Sequence, residues 1–290
     1  MRTVIVLGMT LLLSACGGSK SAAGKLDVVA AENTYGSIAS QIGRPHVSVT
    51  SILTSPNADP HLFETSTSDD LAVADAKVVL QNGLGYDAFM TKLEDAAPNK
   101  ERVVVTMADV LGVHGKDANP HLWYDEPRLD RIATAIAAAF TRADPSHTAA
   151  YRRNLRRFEH SLGPLQREVA SIRTRFPAAP VAYTEPVPGY LVAAAGLRNL
   201  APDSFTRLIE EGTEPSPSAV AAMNTLVDGR HIRALVYNAQ TVSPLTAQLR
   251  TAAQQAGIPV VPVTETLPPG LTFQQWQLRQ VRVIAAALSK

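Results

Sequence analysis

Between Tyr151 and Phe176 the apolar residues fall at Tyr151, Leu155, Phe158, Leu162, Leu165, Val169, Ile172 and Phe176, in steps of four and three throughout. That spacing is the stripe of a helix with one buried face. Arg152, Arg153, Arg156 and Arg157 fill the opposite, solvated face. A helix through this stretch is roughly 45 Å long at about 1.5 Å per residue, enough to reach across two domains. Gly163-Pro164 sits in its middle and predicts a kink, because Pro164 lacks an N–H and crowds the preceding turn. The stripe keeps its phase across that point, so one bent helix is expected over 146–176 rather than two separate ones. The rest of the chain has to be built on either side of this rod.

Both sides read alike. Before the rod, strands are expected at Leu26–Ala31, His46–Leu53, Lys77–Gln81 and Arg102–Thr106. Helices are expected at Thr34–Ile42, from the cap-rich Ser66-Thr67-Ser68-Asp69-Asp70, at Asp87–Ala96 and at Glu126–Arg142, with Pro145 as a stop and Ser146 as the next cap. After the rod, strands are expected at Val181–Tyr183, Ala234–Tyr237 and Pro259–Val263. The helices there run from Gly189 to Ala195, from Ser216-Pro217, from Ser243-Pro244 to Ala256-Gly257, and from a Thr272/Gln275 capping box to about Leu288. Strands alternating with helices predict an α/β layer with a largely parallel sheet in each half. The expected organisation is an N-terminal α/β domain over 26–145, the connecting helix, and a C-terminal α/β domain over 177–290. A chain of 290 residues, 46% hydrophobic, has the length and apolar content for two cores. The formal net charge of +1, with no basic face carrying interleaved aromatics, argues against nucleic acid as a partner.

The N-terminus reads as a leader. Val4 to Leu13 is apolar behind Arg2, too short to span a bilayer and of the form of a signal-peptide core. It ends in Leu13-Ser14-Ala15-Cys16, and Cys16 is the only cysteine. Small residues before a cysteine at this position resemble a bacterial lipobox, which implies a signal peptide over 1–15, cleavage before Cys16 and lipid on its thiol. The Gly/Ser/Ala-rich stretch that follows, 16–25, reads as a flexible tether. With Cys16 consumed, any metal site has only nitrogen and oxygen donors to use.

The residues that suggest chemistry are a repeated pattern, Asn57-Ala58-Asp59-Pro60-His61-Leu62-Phe63-Glu64 and Asn119-Pro120-His121-Leu122-Trp123-Tyr124. Each copy sets a histidine after a proline and before an apolar residue. Proline stiffens both its own backbone and that of the residue before it. Two stiffly held imidazoles from distant parts of one chain suggest convergence on a metal ion. His61, His121, Glu185 and Glu265 all fall in loops after predicted strands, two in each half, where open α/β sheets bind ligands. Glu185, in Thr184-Glu185-Pro186, is costly to bury unless paired or metal-bound, whereas Glu265 rests on strand order alone. Two imidazoles and two carboxylates suit Mn²⁺, Fe²⁺ or Zn²⁺. Glu64 is placed to accept from a ring nitrogen of His61, with Asp59 and Asp125 as lesser candidates for that role. His46, His114, His147, His160 and His231 lack the Pro-His setting and read as surface or helix-face residues.

Asp59-Pro60-His61-Leu62-Phe63-Glu64, Asn119-Pro120-His121-Leu122-Trp123, Thr184-Glu185-Pro186 and Glu214-Pro215-Ser216-Pro217-Ser218 together resemble the metal-binding solute-binding proteins of bacterial zinc and manganese ABC importers. The resemblance implies metal ligands at His61, His121 and Glu185, with Glu265 in Thr264-Glu265-Thr266 standing where the family usually has an aspartate. It implies a lipid-anchored, monomeric extracytoplasmic receptor that carries Zn²⁺ or Mn²⁺ to a membrane permease and its ATPase and does no chemistry of its own. The rival expectation is a metallohydrolase with an open metal position and Glu64 as base. His61-Leu62-Phe63-Glu64 lacks a second histidine at helical spacing, which disfavours it.

Overall fold

The computed structural model describes residues 24–55 and 63–290. Cys16 with the leader before it, and His61 with Asp59 and Pro60, lie outside the described residues. The first domain holds strands β1 (Leu26–Glu32), β2 (Val47–Leu53), β3 (Val78–Gln81) and β4 (Val103–Thr106). They form one sheet in the order β2-β1-β3-β4, with every pairing parallel. Its helices are α1 (Asn33–Gly43), α2 (Thr67–Asp75), α3 (Ala88–Ala96), α4 (Met107–Leu111) and α5 (Leu129–Ala143). Val28, Val29, Ala30 and Ala31 are all buried, so β1 is covered on both faces, as a parallel strand between helix layers must be. Ser66 caps α2 in a reciprocal box with Asp69, as the cap-rich run predicts.

The connector consists of α6 (Thr148–Ser161) and α7 (Gly163–Arg175), which meet at Leu162. Leu162 keeps right-handed helical angles, φ −74° and ψ −17°, so the backbone stays on the helical path between the two. Pro164 then falls in the first turn of α7, where a missing N–H has no intrahelical partner to lose. Phe158, Leu162, Leu165, Val169 and Ile172 all enter one core. Ser146 is not the cap expected from the sequence. Pro145–His147 forms a 3-10 turn, α6 begins at Thr148, and the Ser146 hydroxyl donates to Asp144 rather than capping a helix.

The second domain holds β5 (Pro180–Tyr183), β6 (Arg198–Asn199), β7 (Leu235–Asn238) and β8 (Val260–Val263), ordered β6-β5-β7-β8 and again parallel. Its helices are α8 (Gly189–Ala194), α9 (Asp203–Glu210), α10 (Pro217–Asp228), α11 (Pro244–Gln255) and α12 (Phe273–Leu288). Ser216, Ser243 and Thr272 each accept a backbone N–H at the start of the helix expected from them. The elements absent from the sequence reading, α4, α9 and β6, are of five, eight and two residues, too short for a period to show.

The two domains share apolar packing. α6 lies on α1 and α5, and α7 lies on α8 and α12. One buried cluster runs from Val28 and Tyr35 through Trp123 and the connector to Val236 and Trp276. Because this core continues through the rod, the carboxyl ends of the two sheets are held facing each other.

Candidate metal centre

Parallel order in the second sheet explains how two distant glutamates come together. Asn238 ends β7, the strand between β5 and β8. Glu185 lies two residues beyond β5 and Glu265 two residues beyond β8. Adjacent strands are about 4.8 Å apart, so the two carboxylates rise on either side of Asn238. The Asn238 amide nitrogen donates to Glu185 Oε2 and to Glu265 Oε1, each at 2.7 Å. Both glutamates are 1% exposed. Two carboxylates at this depth repel each other when both are ionised, and the shared amide opposes that repulsion.

The first domain supplies His121, which is fully buried. The Pro120 carbonyl before it accepts from the Asn82 side chain at 2.8 Å, which fixes the loop to the end of β3. Asn119 Oδ1 accepts both the His121 backbone N–H (3.0 Å) and the ring Nδ1–H (2.8 Å). The same side chain's nitrogen donates to the Pro186 carbonyl of the second domain at 2.7 Å, so its oxygen is the atom that faces the ring. Gly189 makes this crossing possible, since a Cβ there would meet Asn119 Nδ2 at 2.8 Å. With the proton held on Nδ1, the Nε2 edge is turned toward the second domain and lies 3.1 Å from Glu265 Oε2.

Around this contact two first-domain tyrosines donate across the boundary. Tyr86 donates to Glu265 Oε2 at 2.8 Å. Burial, and then the negative charge of Glu265, holds the Tyr86 hydroxyl well above its ordinary pKa, so it stays a neutral donor. Tyr124 donates to the Thr264 carbonyl at 2.6 Å and also meets Gln280. Burial disfavours the charged form of His121, but Glu210 and Glu265 outweigh it and raise the imidazole's pKa. Glu210 Oε1 lies 3.7 Å from Nδ1. A cavity of about 490 Å³ opens beside the site, with Tyr86, Asn119, Tyr183, Pro186, Arg207 and Glu210 among its walls.

The structure therefore brings His121 into contact with Glu265 and sets Glu185 one amide away. Among the described residues no three His, Cys, Asp or Glu side chains form a metal-ready cluster. His61 lies outside the described residues, but the chain leads to it from Ser55, whose carbonyl accepts from the hydroxyl of Thr266 at 2.9 Å. Glu64 is exposed. The Asp125 carboxylate is taken by Arg128. The ring acceptor of His121 is Asn119, and Asn238, Tyr86 and Glu210 are further site residues that the sequence reading missed. Asn119 carried a signal, two positions before a Pro-held histidine; Asn238 carried none.

The sequence profile of the family described as "ZnuA: Zinc-uptake complex component A periplasmic" matches residues 28–287. The chain belongs to that family. It is 32% identical over 180 residues to the manganese-binding lipoprotein MntA of Bacillus subtilis (strain 168), covering 58% of each chain. It is 28% identical over 181 residues to the manganese ABC transporter substrate-binding lipoprotein scaA of Streptococcus gordonii, covering 57% of this chain and 58% of that one. The chain thus spans about 58% of the length of these curated relatives. Among solved structures it resembles the periplasmic zinc binding protein TroA of Treponema pallidum, with TM-score 0.78 and 19% identity over 92% of this chain and all of that one. It also resembles FpvC of Pseudomonas aeruginosa, solved in complex with Mn²⁺, with TM-score 0.76 and 18% identity over 91% and 98% of the two chains. These likenesses show the fold: two α/β domains with parallel sheets on a long connecting helix.

Proposed function

We propose that this protein is an extracytoplasmic solute-binding receptor that takes up one divalent transition metal ion, Zn²⁺ or Mn²⁺, as cargo and delivers it to the permease and ATPase of an ABC importer. The observation that carries the reading is the arrangement at the domain boundary. A buried imidazole from one domain meets a buried carboxylate from the other, and a second carboxylate is held beside it through Asn238. A divalent ion is the ligand that relieves this set, because it cancels two carboxylate charges and takes the place of the proton on His121 Nε2. His61, His121, Glu185 and Glu265 are the proposed ligands, and nitrogen and oxygen donors suit zinc and manganese alike. The names of the relatives, which include manganese-binding and zinc-binding proteins, support the same cargo.

Cys16 is proposed to carry the lipid that holds the receptor, as a monomer, at the outer face of the cytoplasmic membrane. The hydrolase alternative needs Glu64 as a base beside the ion, and its exposure on the loop before α2 argues for a carrier instead. Titration calorimetry of the metal-stripped mature protein with Zn²⁺ and Mn²⁺ tests the reading. One ion bound per chain, lost on His121→Ala, is expected; undisturbed binding in that variant defeats the proposed site.

A further inference from the structure

The first domain buries a pair of acids that the metal site does not use. Glu32 is the last residue of β1 and is 1% exposed. Neither of its carboxyl oxygens has a partner at full hydrogen-bond length. The carboxyl of Asp87, itself 4% exposed, is close enough to interact with it, and the Tyr35 and Tyr86 hydroxyls also feel its charge. Asp87 is well supplied with donors: the backbone N–H groups of Asn82 and Gly83 reach it at 2.5 and 2.9 Å. Gly83 has φ +85°, a left-handed angle that a side chain resists, and it turns the chain toward Asp87.

Two acids facing each other in a dry interior do not both ionise, and the one with donors keeps the charge. Burial first, and the charge of Asp87 second, hold the Glu32 carboxyl well above the usual range. Burial raises the Asp87 carboxyl too, but the N–H groups of Gly83 and Asn82 and the contact with Glu32 oppose it, so Asp87 stays the more acidic of the two. Glu32 is then a neutral acid, able to donate, and Asp87 a carboxylate, able to accept.

Two routes to the metal centre start at Asp87. Through Asn82, whose oxygen accepts from Tyr35 at 2.6 Å and whose nitrogen donates to the Pro120 carbonyl, the first reaches the residue directly before His121. Tyr86, directly before Asp87, begins the second and donates to Glu265. We propose that Glu32 is a positioning residue of the metal site. As a neutral donor to Asp87 it holds the 82–87 segment, and through it the imidazole of His121 and the Tyr86 bond to Glu265. This rests on the metal-binding reading above.

The test uses Co²⁺ as the bound ion in the whole mature protein, because its visible spectrum reports ligand geometry. Glu32→Gln keeps a neutral donor at the same place, and Glu32→Leu keeps the bulk without one. The Gln variant is expected to match the parent in affinity and spectrum. Leu is expected to lose about ten- to a hundredfold in affinity, as for other groups that orient a ligand, and to shift the spectrum. Should the Leu variant fail to fold, Asp87→Asn, which weakens the acceptor, must produce the same spectral shift. Loss in Gln equal to that in Leu means the site needs a negative charge at Glu32, which overturns the proposal. Unchanged affinity and spectrum in every variant that folds overturns it as well, leaving Glu32 as scaffold only. Infrared spectra of the metal-free parent at neutral pH add an arm independent of metal: a protonated-acid carbonyl band, absent from Glu32→Gln, is expected, and a parent without that band refutes the neutral donor. A parent that takes up no Co²⁺ but shows the band counts against the metal-binding reading and its dependent proposal, not against the acid pair.

Discussion

Glu265→Ala removes the one carboxylate that meets His121, Tyr86 and Asn238 together. An ion that binds only the folded chain, supplied at about a thousandfold above its dissociation constant, stabilises the parent by roughly 4 kcal/mol. For a chain of this size each kcal/mol moves the melting temperature by roughly 2–4 °C, so the parent should gain on the order of 10 °C. A charged group and its partner are worth roughly 1.5–3 kcal/mol. Losing one such contact at the upper end weakens binding by about a hundredfold. At the same metal concentration the excess then falls to about tenfold, which leaves roughly 1.4 kcal/mol. The metal-induced rise in the variant should therefore shrink to about 3–5 °C. Glu265→Asp keeps the charge on a side chain one methylene shorter, and is expected to keep binding with an altered preference between Zn²⁺ and Mn²⁺. Calorimetric melts with and without each metal, paired with titration calorimetry, read both variants. Retention of the full parental rise by Glu265→Ala refutes its place among the ligands.

Other expectations concern the frame around the site and the connector. Asn119→Ala removes the acceptor of His121 Nδ1 and the bond to Pro186, and should weaken metal binding by about ten- to a hundredfold as measured by titration. Asp144 is brought down to about 2 because hydrogen bonds from Ser146, Tyr151 and His147 outweigh the effect of burial. A carboxylate with a lowered folded pKa adds stability that is present above its ordinary value near 3.8 and lost as pH falls toward about 2. Asp144→Asn should flatten this acid limb in pH-dependent melts, by a small amount because the site is partly solvated; an unchanged limb contradicts the assignment. Because one core runs through α6 and α7 into both domains, X-ray scattering of metal-free and metal-loaded protein should nearly superimpose, and a clear change in radius of gyration would show a hinge. Cys16→Ala should leave the membrane fraction, and its retention after a high-salt wash would rule out the lipid anchor.

Much of the architecture is legible locally. The apolar steps from Tyr151 to Phe176 need only one buried helical face, and the connector follows them through Leu162. Ser66, Ser216, Ser243 and Thr272 sit at helix starts because a cap is a contact within three residues. The Pro-His pattern likewise marks His121 from its immediate neighbours, and strand–helix alternation marks both parallel sheets.

Strand order and domain docking are not local, and they decide the site. Nothing near Asn238 in the chain says that β7 lies between β5 and β8, yet that order alone makes its amide the bridge between Glu185 and Glu265. Asp125 and Asn119 stand close to His121 in sequence on opposite sides, and only the fold gives one to Arg128 and the other to the imidazole. The sequence reading ends the first strand at Ala31 and says nothing of Glu32, whose burial depends on β3 pairing beside β1. Periods, caps and proline-stiffened loops act over a few residues and are written in the chain. The partner of a buried charge is whichever group the packing carries to it from a hundred residues away.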